Sequence, residues 1–202
     1  MMLFDEVALF DEGKKQYRRF DLPGTDLQLW EQFFPRFQAD HYFQLLRDST
    51  PWQQRTRKMY DKTVLDPRLT AWYGGSEGLE WTPLLQTIRS HVEQRCDLSF
   101  NRVLLNYYRD GNDSVAWHSD TLPSGGRHHH IASVTLGDTR IFKVRHRQRK
   151  DIAPLDIPLT HGSFLLMDPA MQEHYEHHVP KTTKPVGPRI NLTFRISDSP
   201  DG

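Results

Sequence analysis

The sequence predicts a mainly β fold with flanking helices, an α+β arrangement whose core is a sandwich or jelly-roll barrel. Three observations predict it. From residue 101 the apolar period changes to two, the spacing at which alternate side chains share one face of a strand. The runs are short and separated by clusters of Gly, Pro, Asn and Asp, the pattern of many-stranded antiparallel folds. Two stretches of helical spacing come before them, and layer packing puts such helices on one outer face of the strands.

Residues 1–36 read as a peripheral N-terminal extension, with acids at 5, 6, 11 and 12, Lys14-Lys15, Arg18-Arg19 and a Leu22-Pro23-Gly24 turn. A short helix is expected over 39–48, with Asp40 near its start and Tyr42, Leu45 and Leu46 on one face. A stronger one is expected over 83–95. Thr82 suits its N-cap, and Pro83 suits a first position where a missing N–H costs nothing. Leu84, Leu85, Ile88 and Val92 then give it one apolar stripe. These helices fill the segment 37–100.

The strand-rich segment is 101–198. Val103, Leu105 and Tyr107 alternate with Leu104, Asn106 and Tyr108. Ile131 to Leu136 is β-branched and apolar, Phe142 and Val144 alternate with Lys143, Arg145 and Arg147, and Phe164 to Met167 is a short buried run. In the last strand Ile190, Leu192, Phe194 and Ile196 alternate with Arg189, Asn191, Thr193 and Arg195.

A chain of 202 residues buries roughly 70% of its unfolded surface, enough for a core without staples. A lone cysteine, Cys96, excludes a disulfide scaffold and a cysteine zinc site. No apolar run approaches the ~20 residues of a membrane span, and the early acids do not fit a secretory signal. A cytoplasmic compartment, bacterial or otherwise intracellular, is expected, with no membrane partner. The 26 basic and 26 acidic residues cancel, which excludes a polycation. The stretch 140–150 nevertheless holds six cations and no acid, a local stripe able to attract phosphate. Nine of the eleven histidines lie from His118 to His178, so the chemistry is expected there.

In Trp117-His118-Ser119-Asp120 an extended backbone would project His118 and Asp120 together. An imidazole and a carboxylate so placed can supply two ligands to a metal. A further histidine would complete a two-histidine, one-carboxylate set that leaves open positions on Fe(II). Composition alone produces about one such His-x-Asp by chance, so a solvated or capping pair is the plain alternative. His161, His174, His177 and His178 could each supply the third ligand, and spacing does not separate them. In the last strand two arginines, an amide and a hydroxyl share one face. Either that face is solvent on an edge strand, or it is buried and an anion such as a dicarboxylate satisfies the guanidinium forks.

The ordered combination resembles a known family. Asn106-Tyr107-Tyr108-Arg109-Asp110-Gly111, His118-Ser119-Asp120, Ile131-Ala132-Ser133-Val134, His161-Gly162-Ser163, His177 and Arg189-Ile190-Asn191-Leu192-Thr193-Phe194-Arg195 resemble the AlkB family of nucleic-acid dealkylating dioxygenases. The likeness extends more thinly to Pro67-Arg68-Leu69-Thr70-Ala71-Trp72-Tyr73-Gly74. It implies a double-stranded β-helix core in a single domain, with a nucleotide-recognition lid within 37–100. It implies Fe(II), 2-oxoglutarate as cosubstrate and O2, with His118, Asp120 and His177 as metal ligands. Arg189 and Tyr108 would bind the far carboxylate of 2-oxoglutarate, and Asn106, Asn191 and Arg195 would lie near its other end. The implied reaction is oxidative demethylation of N-alkylated bases in DNA or RNA, releasing formaldehyde, succinate and CO2, by a monomer.

A target base must leave its stack to reach such an iron. Arg68, Trp72 and Tyr73 are the expected substrate residues, and Trp81 is either a further platform or a helix anchor. Lys58, Lys62, Arg68, Arg145, Arg147 and Arg149 could line a phosphate track. Leu122 departs from the family, several members of which carry an acid there, which leaves the lesion open. Alternatives are the same chemistry on a protein or small molecule, or a non-catalytic nucleic-acid-binding barrel.

Overall fold

Strands from residue 101 onward, joined by three from before it, build two antiparallel sheets that face each other. The computed structural model describes residues 17–59, 62–76, 78–120 and 129–196, with the backbone alone at 57–59 and 62–63. The strands are β1 (Arg18–Leu22), β2 (Thr25–Trp30), β3 (Thr56–Met59), β4 (Lys62–Leu65), β5 (Leu69–Tyr73), β6 (Arg102–Tyr108), β7 (Val115–His118), β8 (Ile131–Gly137), β9 (Arg140–His146), β10 (Leu155–Leu159), β11 (Ser163–Met167), β12 (Tyr175–Val179) and β13 (Arg189–Arg195). The helices are α1 (Arg36–Ser49), α2 (Pro83–Cys96) and the short α3 (Pro169–His174).

The larger sheet runs β1-β2-β11-β8-β13-β6-β5, the smaller β10-β9-β12-β7, and β3-β4 is a separate hairpin. The larger sheet is buried on both faces along its central strands. One face, with Val103, Leu105, Val134, Ile190, Leu192 and Phe194, packs against Leu46 of α1 and Leu85, Ile88 and Val92 of α2. The other shares a core with the smaller sheet, where Leu29 and Leu165 meet Phe142, Val144 and Tyr175. The layers are therefore helix, sheet, sheet, and the space between the sheets holds the polar side chains of β13.

Both expected helices form, each slightly longer than read. Thr82 Oγ1 accepts from the Leu85 N–H at 3.2 Å, and Pro83 occupies the first turn. The segment read as a peripheral extension differs. Its residues 18–30 form β1 and β2, and β2 pairs with β11 through Leu29↔Leu165 and Leu27↔Met167. Leu27 and Leu29 are buried. The alternation of Leu27 and Leu29 was the available signal, and the flanking charges concealed it, because β1 is an edge whose Arg18 and Arg19 face water. Gly24 turns the hairpin at φ +76, a conformation that suits a residue without Cβ. No helix among the described residues is long and apolar enough to cross a membrane.

Candidate active site

Strand β13 sits between β6 and β8, so the arginine face is interior and the edge-strand alternative falls away. Arg189 is 1% exposed. Its Nη2 donates to Thr135 Oγ1 at 2.9 Å, and its guanidinium carbon lies 5.1 Å from the Tyr108 ring centre. Nε and Nη1 have no hydrogen-bond partner. Burial pushes its pKa down to about 10, which still leaves a cation at neutral pH. An interior cation with two idle donors needs an anion.

Further along the strand, Asn191 Nδ2 donates to Ser133 Oγ (2.8 Å) and the Val134 carbonyl (3.0 Å), and its Oδ1 accepts from Thr193 Oγ1 (3.1 Å). Arg195 Nη2 donates to Asp120 Oδ1 at 2.6 Å. Across β6, Asn106 Oδ1 accepts from Arg68 Nε at 2.7 Å.

Strands β7 and β12 form the opposite wall, where His118 and His177 face each other across the ladder. Strand β7 ends at His118, and Asp120 turns in from the loop beyond it. That loop is pinned by Ser119 Oγ donating to the Tyr175 carbonyl (2.7 Å) and the Asp120 N–H donating to Gln172 Oε1 (2.9 Å). His118 Nε2 is 3.7 Å from Asp120 Oδ1, and His177 Nε2 is 3.6 Å from Asp120 Oδ2. One ligand atom from each of the three lies within 4.8 Å of the others. His118 Nδ1 donates to the Ala116 carbonyl at 2.8 Å, which leaves Nε2 as the free lone pair. Burial pushes His177 down to about 4, so it is a neutral imidazole at pH 7. Burial pulls the Asp120 carboxyl up, but Arg195, the two imidazoles and Arg68 hold it below the ordinary carboxylate range. The neutral imidazole of His177, the Nε2 lone pair of His118 and an ionised carboxylate are thus aimed at one point.

The 2OG-Fe(II) oxygenase superfamily profile matches residues 26–195. Named relatives share much of the sequence. Alpha-ketoglutarate-dependent dioxygenase alkB homolog 3 of Bos taurus is 40% identical over 175 residues, 78% of this chain and 61% of that protein. DNA oxidative demethylase ALKBH2 of Homo sapiens is 33% identical over 199 residues, 89% of this chain and 76% of its own. The solved structure of OsALKBH1 superposes with a TM-score of 0.64 at 17% identity, covering 87% of this chain and 99% of that one. The chain belongs to the AlkB family of 2OG-Fe(II) oxygenases. Its fold is the jelly roll of that superfamily, and it spans about three fifths of the bovine relative's length (61%).

The pocket of this oxygenase is narrow, about 50 Å³, and is lined by Asn106, Tyr108, Asn191 and both arginines of β13 together with the three candidate ligands. The residues present fit a divalent iron and a dicarboxylate: the donor set is the two-histidine, one-carboxylate type, and Arg189 offers unpaired buried donors. Among the other histidines, His161 turns to Asp40 (3.1 Å) and the Gly137 N–H (2.8 Å). His174 lies against His146. His178, one residue from His177 and so on the other face of β12, stacks on Trp117 at 3.8 Å. Strand parity selects His177, and that parity required knowing where β12 begins.

The same parity divides the expected substrate residues. Arg68 lines the pocket, and the Trp72 ring centre lies 5.3 Å from the Arg195 guanidinium. Tyr73 points the other way. It is 3% exposed and packs in the core shared with the helices, so the expectation that it meets substrate is corrected. Trp81 stacks on Phe194 and carries Arg89 at 4.5 Å, an anchor of α2. Half of the basic stripe is paired with acids: Lys143 with Asp156 (2.7 Å), Arg145 with Glu176 (2.6 Å) and Arg149 with Asp151 (2.6 Å). Leu122 and the side chains of Lys58 and Lys62 lie outside the described residues. Sequence reading missed Phe142, stacked on His177 at 4.8 Å, and Gln172, the buried partner of the Asp120 backbone. Only the alternation of β9 hinted at the first.

Proposed function

We propose that this chain is an Fe(II)- and 2-oxoglutarate-dependent dioxygenase that oxidatively demethylates N-alkylated bases in DNA, releasing formaldehyde, succinate and CO2, in alkylation repair. The observation that carries this reading is the juxtaposition of His118, Asp120 and His177 with Arg189, a buried cation that has no carboxylate partner among the described residues. The names of the relatives, DNA oxidative demethylase among them, support the substrate class.

His118, Asp120 and His177 would hold the iron. Oxidation of the N-methyl group, coupled to decarboxylation of the diacid, is the chemistry that iron supplies when bound. Arg189 and Tyr108 hold the far carboxylate of the diacid and so fix which end faces the metal. Asn106 and Asn191 line the space between. Arg195 keeps Asp120 ionised and aimed, and Trp72 above it offers the flipped base an aromatic face. Phe142 and Met167 exclude water from the wall behind. No side chain needs to act as general base. The nucleotide-recognition lid lies within 37–100, residues 101–198 serve as the catalytic core, and the protein acts as an intracellular monomer.

The test is incubation with Fe(II), ascorbate, 2-oxoglutarate and an N-methylated oligonucleotide, measuring succinate, formaldehyde and restored base together. All three should appear, and His118→Ala or Asp120→Ala should abolish them while circular dichroism stays unchanged. Succinate without base repair would move the substrate to a protein or small molecule, and no succinate would refute the enzymatic reading.

A further inference from the structure

A second opening approaches the catalytic pocket from behind. It is a cleft of about 250 Å³ between the start of β5 and the adjoining ends of β7 and β12. Arg68, Val115 and Val179 line both this cleft and the catalytic pocket, so these side chains form the wall common to the two. Val115 and Val179 are paired across the same ribbon that pairs His118 with His177. The cleft therefore meets the pocket at the ribbon's far end from Asp120.

That end is where Arg189 and Tyr108 lie. Arg140, whose guanidinium carbon is 5.8 Å from the Tyr108 ring centre, donates to the carbonyls of Asp113 and Pro180, the neighbours of Ser114 and Lys181 in the cleft. Arg195, Asp120 and Trp72 mark the front of the pocket, and Arg195 stands six residues along β13 from Arg189, about 20 Å between the two Cα atoms. The two openings thus serve opposite ends of the cavity. None of the nine residues lining the cleft is acidic, and Arg68 and Lys181 are cationic. A passage of that sign concentrates dianions. Among the described residues Arg68 makes a single side-chain hydrogen bond, Nε to Asn106 Oδ1, so one rotation of its head withdraws it from the wall.

We propose that this cleft is a rear port through which 2-oxoglutarate arrives and succinate leaves, past a neck of Val115 and Val179 with Arg68 as its gate. Nucleic acid covering the front mouth then does not trap the diacid, and one bound strand can be served by successive cosubstrate molecules. The inference rests on the reading of Arg189 as the diacid anchor.

The test is a chase. Radiolabelled 2-oxoglutarate is bound to the Mn(II)-loaded full chain and displaced by unlabelled 2-oxoglutarate, with and without saturating methylated oligonucleotide. With the port, wild-type release with oligonucleotide stays within about twofold of release without it. Ala116→Trp, a plug at an exposed cleft position, slows association and release together about tenfold when oligonucleotide is bound and leaves Kd unchanged, as a gate must. Lys181→Glu, an exposed change that spares the fold, lowers the association rate about threefold to tenfold at low salt only. Release halted by oligonucleotide in the wild type, or oligonucleotide-bound exchange untouched by both variants, overturns the port. Arg189→Met tests the underlying reading separately: unchanged 2-oxoglutarate affinity in that variant removes the anchor, whatever the port does.

Discussion

Burial of His177 couples a proton to the stability of the metal-free protein. Its imidazole titrates at about 4 in the fold and near 6.5 in an unfolded chain. Between those values the unfolded chain binds a proton that the native state refuses, so acid favours unfolding across that window. Asp120 is held below the ordinary carboxylate range, so its own contribution is lost only in stronger acid. Stability of the metal-free protein should therefore fall by about 2–3 kcal/mol from pH 7.5 to pH 4.5 on account of this residue. Urea unfolding at both pH values measures it. His177→Gln should flatten most of the slope, and a remainder belongs to His178, whose pKa burial also lowers. At this scale the metal set was half legible. His118 and Asp120 stood out by spacing, whereas His177 and His178 differ only in which face of β12 they take. Trp72 and Tyr73 differ in the same way on β5, and a one-residue change of parity exchanges pocket for core.

Strand β9 carries a structural staple that its sequence disguised. Arg140 is 3% exposed and donates to the carbonyls of Asp110 (3.0 Å), Asp113 (2.9 Å) and Pro180. The first two lie in the loop leading into β7, and the third follows β12, so one guanidinium fastens the two strands that present His118 and His177. Asp113, 4% exposed, is in turn gripped by Arg109 through its backbone N–H (2.9 Å), Nε (2.8 Å) and Nη2 (2.9 Å). Arg140→Met would leave three carbonyls without their donor, at about 1–3 kcal/mol for each that water cannot reach. We expect a loss of about 3 kcal/mol or more in urea unfolding, with Arg140→Lys recovering less than half, since an ammonium cannot reproduce the planar fork. Arg140 shares the parity of Phe142 and Val144, which was the sign that it faces inward; grouped by charge alone, it merged with a surface stripe. The partners of that stripe, Asp156 and Glu176, come from β10 and β12, and no local pattern announces a cross-strand acid. The same non-locality hid β1 and β2, whose place in the larger sheet depends on β11, over a hundred residues onward. Helix α2 was readable almost to its ends because its N-cap, Pro83 and apolar stripe are all local.

Across the whole molecule the two sheets are held apart by a polar, cation-rich interior. The pocket wall includes the guanidinium groups of Arg68, Arg189 and Arg195 against the single carboxylate of Asp120, and Arg195 already occupies one oxygen of that carboxylate. A metal ion alone would add positive charge to this interior, whereas a dicarboxylate supplies the missing negative charge at the Arg189 end. The two should therefore bind cooperatively, each lowering the electrostatic cost of the other. Ligands that bind only the folded state stabilise it by mass action, about 2.7 kcal/mol at a concentration of 100 times Kd, and for a domain of this size each kcal/mol is about 2–4 °C in Tm. Mn(II) with 2-oxoglutarate should raise Tm by about 5–10 °C, more than the sum of the shifts from each alone. Thermal melts of the four combinations read this directly. Arg189→Met should remove the shift due to the diacid and leave that due to the metal, while Asp120→Asn should remove the cooperative part altogether. Equal, additive shifts in every variant would mean that the two ligands do not meet between the sheets. The layered fold makes the opposite outcome the expected one, because the wall bearing His118 and His177 and the wall bearing Arg189 belong to different sheets, and only ligands held between them touch both.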